Sequence, residues 1–240
     1  MFDGKNVFVS GGTGYIGSEI CRNFHELGAK VIFSYYKRED KAIVLLEELK
    51  NSRSVAIDLK VVNDINEKIN IITKELGEID VLINNAAITH ILPFAMLEEE
   101  DVDPVFDINM KGTLFLTKAV ARGMIRKKAG SIVNIGSIAG HRMLDVPITY
   151  AMVKASIAGF TFALASELKK FNIRVNNVIP GLMEGGVSKG VPDDLKDVFI
   201  QHCAAGRAGT ARDVSELVCF VASDKATYIN GQNIFVDGGI

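Results

Sequence analysis

Short runs of apolar residues alternate with amphipathic segments along the whole chain. The apolar runs have the length of ordinary strands and predict seven of them, over residues 5–10, 30–34, 55–58, 79–84, 131–135, 173–179 and 232–236. Between them, apolar residues at helical spacing predict helices over residues 15–27, 39–50, 66–76, 102–125, 150–169 and 211–222. This alternation is typical of β-α-β units and a parallel sheet.

The strands are apolar without interruption, as in Val81-Leu82-Ile83, which indicates a sheet covered on both faces. No linker, low-complexity tract or internal repeat divides the chain. We therefore predict one doubly wound α/β domain of the Rossmann type over residues 1–240. Its seven-stranded sheet is expected to be mostly or fully parallel, with helices on both faces.

Composition excludes several classes of protein. The 27 basic and 29 acidic residues give a formal charge of −2, which argues against a nucleic-acid-binding surface. No apolar run approaches the roughly 18 residues of a membrane span, and the N-terminus does not resemble a signal peptide. The three cysteines are far apart and suggest neither a disulfide framework nor a metal site. These features predict a soluble, cytoplasmic chain.

A glycine cluster, residues 10–17 (Ser-Gly-Gly-Thr-Gly-Tyr-Ile-Gly), joins the first predicted strand to the first helix. Residues without a Cβ allow the tight turn and let backbone N–H groups approach a pyrophosphate, while the helix N-terminus adds its positive dipole end. Such clusters also occur in plain turns. At this place in an alternating β/α chain, the cluster predicts nucleotide binding.

The end of the second strand bears on the choice between NAD and NADP. An acidic side chain there accepts from the ribose 2′-hydroxyl, whereas basic or hydroxyl groups accommodate a 2′-phosphate. Residues 34–38 read Ser-Tyr-Tyr-Lys-Arg, with no carboxylate before Glu39. This favours NADPH over NADH. Asp58, at the end of the third predicted strand, is placed to accept from the adenine amino group.

Tyr150 and Lys154 lie four residues apart in a predicted helix and so share one face. An ammonium beside a phenol lowers its pKa and makes it a usable general acid or base. Ser137 follows the fifth strand at the sheet edge where ligands of such folds bind, so the two hydroxyls can converge on one carbonyl oxygen. Taken alone, the spacing of Tyr150 and Lys154 could arise by chance. Taken alone, Ser137 could be an ordinary loop or helix-cap residue.

Together these segments resemble the short-chain dehydrogenase/reductase family, and the resemblance covers essentially the whole chain. It rests on the glycine cluster, Asn84-Asn85-Ala86-Ala87, Asn109, Ser137, Tyr150 with Lys154, residues 173–181 and the terminal Val236-Asp-Gly-Gly239, in the family's order and spacing. The chain length and residues 231–239 are most similar to the β-ketoacyl-(acyl-carrier-protein) reductases.

The resemblance implies a catalytic tetrad of Asn109, Ser137, Tyr150 and Lys154. Tyr150 is then the proton donor to the substrate oxygen, and Ser137 hydrogen-bonds that oxygen. Lys154 is expected to lower the Tyr150 pKa and hold the nicotinamide ribose, and Asn109 to anchor a water in the proton relay. No metal is implied. The residues implied to contact the dinucleotide are Gly11, Thr13, Ile16, Gly17, Tyr36, Lys37, Asp58, Leu59, Asn85, Ala86, Tyr150, Lys154, Pro180, Gly181 and Met183.

The glycine cluster departs from the pattern of the short family members. Tyr15 stands where they carry a middle glycine, and Gly14 gives the spacing of the extended sugar-nucleotide epimerases. Those epimerases have a C-terminal substrate domain for which this chain has no room. Gly14 also takes the place of an arginine that often contacts the 2′-phosphate, which weakens the NADP prediction.

Residues 182–206 contain Gly185, Gly186 and Gly190 and fall where the family closes a mobile flap over its substrate. An irregular surface loop is the alternative. The helix over residues 150–168 has small or apolar residues nearly all round, which predicts a second buried face between subunits. We expect a homotetramer, with a dimer as the second choice.

An acyl carrier protein is acidic, so docking it requires a basic patch. Arg126, Lys127 and Lys128 end one predicted helix, and Lys169 with Lys170 ends another. Both clusters could equally complement helix dipoles.

Three functions remain open. The leading prediction is NADP(H)-dependent reduction of a carbonyl to a secondary alcohol, on a 3-oxoacyl thioester carried by acyl carrier protein in fatty-acid or related lipid synthesis. The second is an NAD(P)-dependent alcohol dehydrogenase for a small polyol, steroid or hydroxy acid. The third is a dinucleotide-sensing regulator without catalysis, against which Tyr150 and its partners argue.

Overall fold

A single sheet of seven parallel strands runs through the molecule in the order β3-β2-β1-β4-β5-β6-β7. The computed structural model describes all residues 1–240. Because the strand order reverses between β1 and β4, a crevice opens there at the carboxyl ends of the strands. The predicted doubly wound fold is confirmed. The strands are β1 Asn6–Val9, β2 Lys30–Tyr35, β3 Arg53–Ala56, β4 Val81–Asn84, β5 Gly130–Ile135, β6 Ile173–Pro180 and β7 Asn233–Val236.

Eight α-helices connect the strands: α1 Tyr15–Glu26, α2 Glu39–Glu48, α3 Val62–Leu76, α4 Glu99–Phe106, α5 Thr113–Lys127, α6 Ile148–Leu168, α7 Asp193–His202 and α8 Ala211–Ala222. The predicted helix over 102–125 is in fact α4 and α5 joined by a π-helical stretch, Asp107–Gly112. Gly112 in that stretch lies against Leu59, whose carbonyl oxygen is 2.7 Å from where a Cβ would be. This close approach needs a residue without a side chain.

The third strand is displaced from its predicted bounds. Arg53–Ala56 pairs with residues 32–35 of β2, so Asp58 lies beyond the strand rather than at its last position. Asp58 still enters the loop at the carboxyl edge of the sheet.

Two hydrophobic clusters cover the two faces of the sheet. One contains buried residues of α1, α2 and α8, and the other those of α3, α5 and α6. All four residues of β1 and of β4 are buried, as the continuously apolar sequence predicted.

A row of asparagines in register crosses the four strands β4 to β7. Asn84, Asn134, Asn177 and Asn233 face one another in adjacent strands. The amide of Asn84 donates to Asn134, and that of Asn177 donates to Asn233, each at 2.8 Å. These two bonds fix the relative height of β4 against β5 and of β6 against β7.

The segment Ile148–Phe171 is long and apolar enough to span a membrane by length and composition, with a mean hydropathy of 1.4 over its best window. The sequence-based expectation that no run reaches this length was therefore wrong. A core helix of a folded domain meets the same criteria. Since α6 packs against β6 and buries Val153, Lys154 and Ile157, we assign it to the core.

Candidate active site

A cleft of about 940 Å³ opens at the carboxyl edge of the sheet. It runs from the loop after β2, past the glycine turn, to Ser137 and Tyr150. Sixteen of the seventeen predicted site residues line it: Gly11, Thr13, Ile16, Gly17, Tyr36, Lys37, Asp58, Leu59, Asn85, Ala86, Ser137, Tyr150, Lys154, Pro180, Gly181 and Met183. Only Asn109 lies elsewhere, behind the cleft wall.

The glycine turn is packed too tightly for side chains at three of its positions. Gly11 has φ +66°, and a Cβ there would lie 2.9 Å from Ala86 Cα. A Cβ on Gly12 would lie 2.5 Å from the Phe33 side chain, and one on Gly17 would overlap the carbonyl oxygen of Gly11. The turn therefore brings backbone close to backbone at the start of α1, as a phosphate site requires.

Gly14 differs from these three glycines. Its φ is −77°, and the nearest atom to a Cβ would be the Gly11 carbonyl oxygen at 3.3 Å. It is the N-cap of α1 and provides no side-chain cap, so the first N–H groups of the helix stay free for a ligand. Gly14, which gives the epimerase-like spacing, is therefore the glycine of the turn at which a side chain would meet the least steric overlap.

Ser10 and Asn85 join the turn to the loop after β4. The Ser10 hydroxyl accepts from the N–H groups of Asn85 and Ala86 at 3.0 and 3.1 Å. The Asn85 amide donates to the carbonyls of Ser10 and Gly11 at 3.0 and 3.1 Å. Asn85 lines the cleft, and its side-chain amide stabilises the turn.

At the far end of the cleft, α6 positions Tyr150 and Lys154 beside Ser137. The Lys154 ammonium is buried, donates to the Ile135 carbonyl at 2.7 Å, and lies 5.7 Å from the centre of the Tyr150 ring. Ser137 accepts from the Ala139 N–H at 3.2 Å, which orients its side chain at the end of β5. The sheet edge and the first turn of α6 therefore bring two hydroxyls and one ammonium together.

Burial raises the pKa of the Tyr150 phenol, and its hydrogen bond with Ser137 opposes the rise. Burial also lowers the pKa of the Lys154 ammonium to about 8. The expected lowering of the Tyr150 pKa by Lys154 is not seen, because burial is the largest influence on the phenol and raises its pKa. The phenol is thus protonated at neutral pH and can act as a proton donor.

Asn109 is buried in the π-helical stretch and makes two hydrogen bonds with one residue. Its amide donates to the Ile88 carbonyl at 2.8 Å, and its side-chain oxygen accepts from the Ile88 N–H at 2.9 Å. Since Ile88 lines the cleft, Asn109 acts on the site by fixing this backbone. A π-helical insertion is a frequent feature of functional sites.

The other end of the cleft is basic. Tyr36, Lys37 and Arg38 follow β2 and line it, with the Lys37 ammonium 5.2 Å from the centre of the Tyr36 ring. Arg38 forms two hydrogen bonds to Asp40, at 3.0 and 3.1 Å, whereas Lys37 forms no salt bridge. Lys37 is thus the free cation at this end.

The flap predicted at 182–206 leaves and rejoins the body of the molecule at one place. Gly209 donates to the Leu182 carbonyl at 2.8 Å, and Glu184 donates to the Gly209 carbonyl at 2.9 Å. Between these points, Gly190 lies close enough to Ile91 that a Cβ would be 2.6 Å from its side chain. This segment therefore reaches across the cleft to Ile91.

Several apolar residues at the mouth of the cleft were not found from the sequence. They are Ile91, Met143, Leu144, Val191, Leu195 and Val198. Met143 is fully exposed and Ile91 is 62% exposed. Ile91, Met143, Leu144 and Val191 lie outside the helices and strands, where no periodicity marks them. Leu195 and Val198 lie on α7, within the segment predicted as a flap.

The two basic clusters considered for carrier docking lie at the opposite edge of the sheet within this chain. Arg126 pairs with Glu78, and Lys127 pairs with Asp80, just before β4 begins. Lys169 and Lys170 form a turn just before β6. Neither cluster borders the cleft of its own chain.

A family model described as "Enoyl-(Acyl carrier protein) reductase" matches residues 13–240. The 3-oxoacyl-(acyl-carrier-protein) reductase FabG of Staphylococcus epidermidis is 35% identical to this chain, with 98% of each protein covered. The enzyme of the same name from Escherichia coli K12 is 33% identical, covering 100% of this chain and 98% of its own. The chain belongs to the short-chain dehydrogenase/reductase family. A mutant of a Serratia marcescens short-chain dehydrogenase/reductase superimposes with a TM-score of 0.92 at 27% identity, covering 99% of this chain and 98% of that one.

Membership of the short-chain dehydrogenase/reductase family makes the chain an oxidoreductase with a nicotinamide dinucleotide cofactor. The residues present fit that group. The glycine turn is closed against the loop after β4, with no space for a Cβ at Gly11 or Gly17, so its backbone is open to a ligand. The cleft extends from there to Tyr150.

Lys154 gives a stability test of the site. Its folded pKa of about 8 lies below the unfolded value of 10.5, so the unfolded chain binds the proton more tightly. The buried ammonium therefore lowers the stability of the folded chain by its full amount below pH 8 and has no such effect above pH 10.5. This pKa difference lowers the free energy of unfolding by roughly 3 kcal/mol at pH 7. Replacing Lys154 removes that cost but also removes the hydrogen bond to Ile135, which stabilises the fold by about 1 kcal/mol. We expect Lys154→Met to raise the unfolding free energy by about 2 kcal/mol at pH 7.

Urea unfolding at pH 7 and pH 10.5 measures this effect, and Lys118→Met is the control because Lys118 is exposed on α5. The increase in the free energy of unfolding should become smaller from pH 7 to pH 10.5 for Lys154→Met. The control variant should show no such change. A loss of stability at pH 7 would show that the buried ammonium does not have a lowered pKa.

Proposed function

We propose that the chain is an NADPH-dependent 3-oxoacyl-(acyl-carrier-protein) reductase that converts a ketone into a secondary alcohol. The observation that supports this most is the cluster of Tyr150, Ser137 and Lys154 at the end of the dinucleotide cleft. Two hydroxyls that meet at one point suit a carbonyl oxygen, which must receive both a hydrogen bond and a proton. The curated relatives bearing this activity's name match along nearly the full chain.

Each side chain has a separate task in the proposed reaction. A bound nicotinamide dinucleotide supplies the hydride. Tyr150 donates the phenolic proton to the substrate oxygen, since burial raises its pKa and keeps it protonated. Ser137 donates a hydrogen bond to the same oxygen and stabilises the negative charge that develops there.

Lys154 and Asn109 complete the proposed tetrad. The Lys154 ammonium has three donors, of which one is used by the Ile135 carbonyl. The remaining donors are available for the ribose of the dinucleotide and for a water near Tyr150. Asn109 fixes the Ile88 carbonyl, whose second lone pair holds that water in the path by which Tyr150 regains its proton.

The substrate is proposed to be a 3-oxoacyl thioester because the cleft has an apolar mouth beyond Tyr150. Ile91, Met143, Leu144 and Val198 provide surface for an acyl chain, and residues 182–206 form the flap that closes over it.

The test is a panel of substrates with purified protein. Acetoacetyl thioesters of acyl carrier protein, coenzyme A and N-acetylcysteamine are compared with a polyol, a steroid and a hydroxy acid. We expect turnover of all three thioesters and the highest kcat/KM with the carrier protein. No turnover of any thioester together with oxidation of a polyol would contradict the substrate assignment.

The preference for NADPH is proposed from the basic residues after β2. Replacing Lys37 and Arg38 together by alanine should weaken NADPH binding by about 10–100-fold, the usual effect of removing charge-assisted hydrogen bonds to a phosphate. NADH affinity should change little. The matched control is Lys41→Ala, since Lys41 is exposed on α2. Equal losses for both cofactors in fluorescence titrations would reject this role.

We also propose a homotetramer, with a dimer as the second choice. The outer face of α6 exposes Met152 and Phe162, which are 53% and 52% exposed in the single chain. Burying such a face between copies of the chain removes apolar area from water. Light scattering that gives a monomer mass at micromolar concentration would contradict the proposal.

A further inference from the structure

Tyr15 is the first residue of α1 and connects three parts of the site. It follows the glycine turn directly and lines the cleft. Its ring lies against the backbone of Gly185, where a Cβ would be 2.7 Å from ring carbon Cδ2. Its hydroxyl accepts from the N–H of Ala211, the first residue of α8, at 3.3 Å.

These contacts are made at the base of the flap. Residues Leu182 and Glu184 pair with Gly209 there, and Gly185 and Gly186 begin the excursion across the cleft. Gly186 has φ +70°, a backbone conformation that other residues rarely adopt. The flap therefore bends where it touches the Tyr15 ring.

Tyr15 also adjoins the glycine turn, where the phosphates of a dinucleotide are expected to bind. The N–H groups of the first turn of α1, from Tyr15 to Gly17, have no side-chain cap and are suited to bind a pyrophosphate. A ligand that orders this turn also orders the ring attached to it. Because the ring and the Gly185 backbone are in direct contact, the position of one restricts the position of the other.

We propose that Tyr15 is a positioning residue that couples dinucleotide binding at the glycine turn to closure of the flap over the substrate. The proposal rests on dinucleotide binding and on the flap described above, and does not depend on which carbonyl compound is reduced. Tyr15 contacts the flap at Gly185 and takes no part in proton or hydride transfer.

Limited trypsin cleavage at Lys189, an exposed flap residue, measures the coupling without a substrate. The protection ratio is the cleavage rate without cofactor divided by the rate with saturating NADPH, or NADH where it binds better. We expect a ratio of about ten for the natural protein, within the range usual for coupled sites. Tyr15→Phe keeps the ring and should keep most of the ratio, whereas Tyr15→Ala should reduce it to about one.

Gly185→Ala tests the same contact from the other side. Its methyl group would lie against the ring and displace the flap, so the ratio should also fall. In the double variant Tyr15→Ala/Gly185→Ala, the methyl group occupies space that the ring has left. The cleavage rate without cofactor should therefore be no higher than in Tyr15→Ala alone, whereas two independent defects would add in that rate. If Tyr15→Ala does not fold, Gly185→Ala and Tyr15→Phe still decide the question.

Steady-state kinetics provide a readout that a purely structural role would not move. We expect Tyr15→Ala to raise KM for the carbonyl substrate about tenfold and to change kcat much less. Tyr228→Ala is the control because Tyr228 is fully exposed. A natural protein whose flap is not protected by cofactor, or a Tyr15→Ala variant with the natural protection ratio and KM, would overturn the proposal.

Discussion

Replacing Tyr150 by Phe is expected to lower kcat for carbonyl reduction by about 10²–10⁴-fold, the usual contribution of a positioned general acid. The substitution removes one oxygen and leaves the ring, which packs beside the Lys154 ammonium. Dinucleotide affinity should therefore stay within about threefold of the natural value. Rapid-mixing measurements of cofactor oxidation and a fluorescence titration provide the two quantities.

The control for this variant is Tyr36→Phe, which changes a tyrosine at the opposite end of the cleft, after β2. We expect kcat to remain near the natural value there, because no proton is transferred at that end. Activity retained by Tyr150→Phe would show that another group donates the proton. A parallel loss of cofactor binding would mean that the phenol acts mainly in binding.

Gly17→Ala should lower dinucleotide affinity at least 100-fold. A methyl group there would overlap the Gly11 carbonyl oxygen and approach the Asn85 amide at 2.6 Å. Both are held by hydrogen bonds between the turn and the loop after β4, so the turn must open to make room. Overpacking of this kind costs about 1–3 kcal/mol, and the opened turn no longer presents its N–H groups to the phosphates.

Gly14→Ala is the matched control for this prediction because it lies in the same turn. Its methyl group would meet the Gly11 carbonyl oxygen at 3.3 Å, a tight contact that a shift of a few tenths of an ångström relieves, and its φ is already negative. We expect cofactor affinity within about threefold of the natural value, measured by calorimetry. Equal losses in both variants would mean that the turn tolerates no side chain for reasons other than steric overlap.

Much of the fold could be predicted because its signals are local. Continuously apolar strands such as β4 require burial on both faces, and the alternation of strands with helices leaves few topologies. The π-helical stretch at Asp107–Gly112 was not predictable, since it depends on Gly112 packing against Leu59, which is distant in sequence.

The candidate site was predictable where a motif carries its own geometry. The residues predicted from the glycine turn and from the spacing of Tyr150 and Lys154 line the two ends of one cleft. The pKa values were not predictable, because they depend on burial by segments that are remote along the chain. Lys154 was expected to lower the pKa of the phenol, whereas burial raises it.

Tyr15 shows how a departure from a family pattern becomes interpretable with a structure. In the sequence it is only a bulky residue in place of a glycine. In the structure its ring lies against Gly185, where a side chain would not fit. The two positions are far apart in sequence, so neither alone indicates the contact.

The most direct test of the central claim is the fate of the cofactor's hydride. NADPH carrying deuterium on the transferred position of its nicotinamide ring is incubated with acetoacetyl-acyl carrier protein and the natural protein, and the hydroxyacyl product is analysed by mass spectrometry. We predict a 3-hydroxybutyryl product one mass unit heavier than that formed from ordinary NADPH, and almost none with Tyr150→Phe. A product without deuterium, or no product while the cofactor remains bound, would contradict the account.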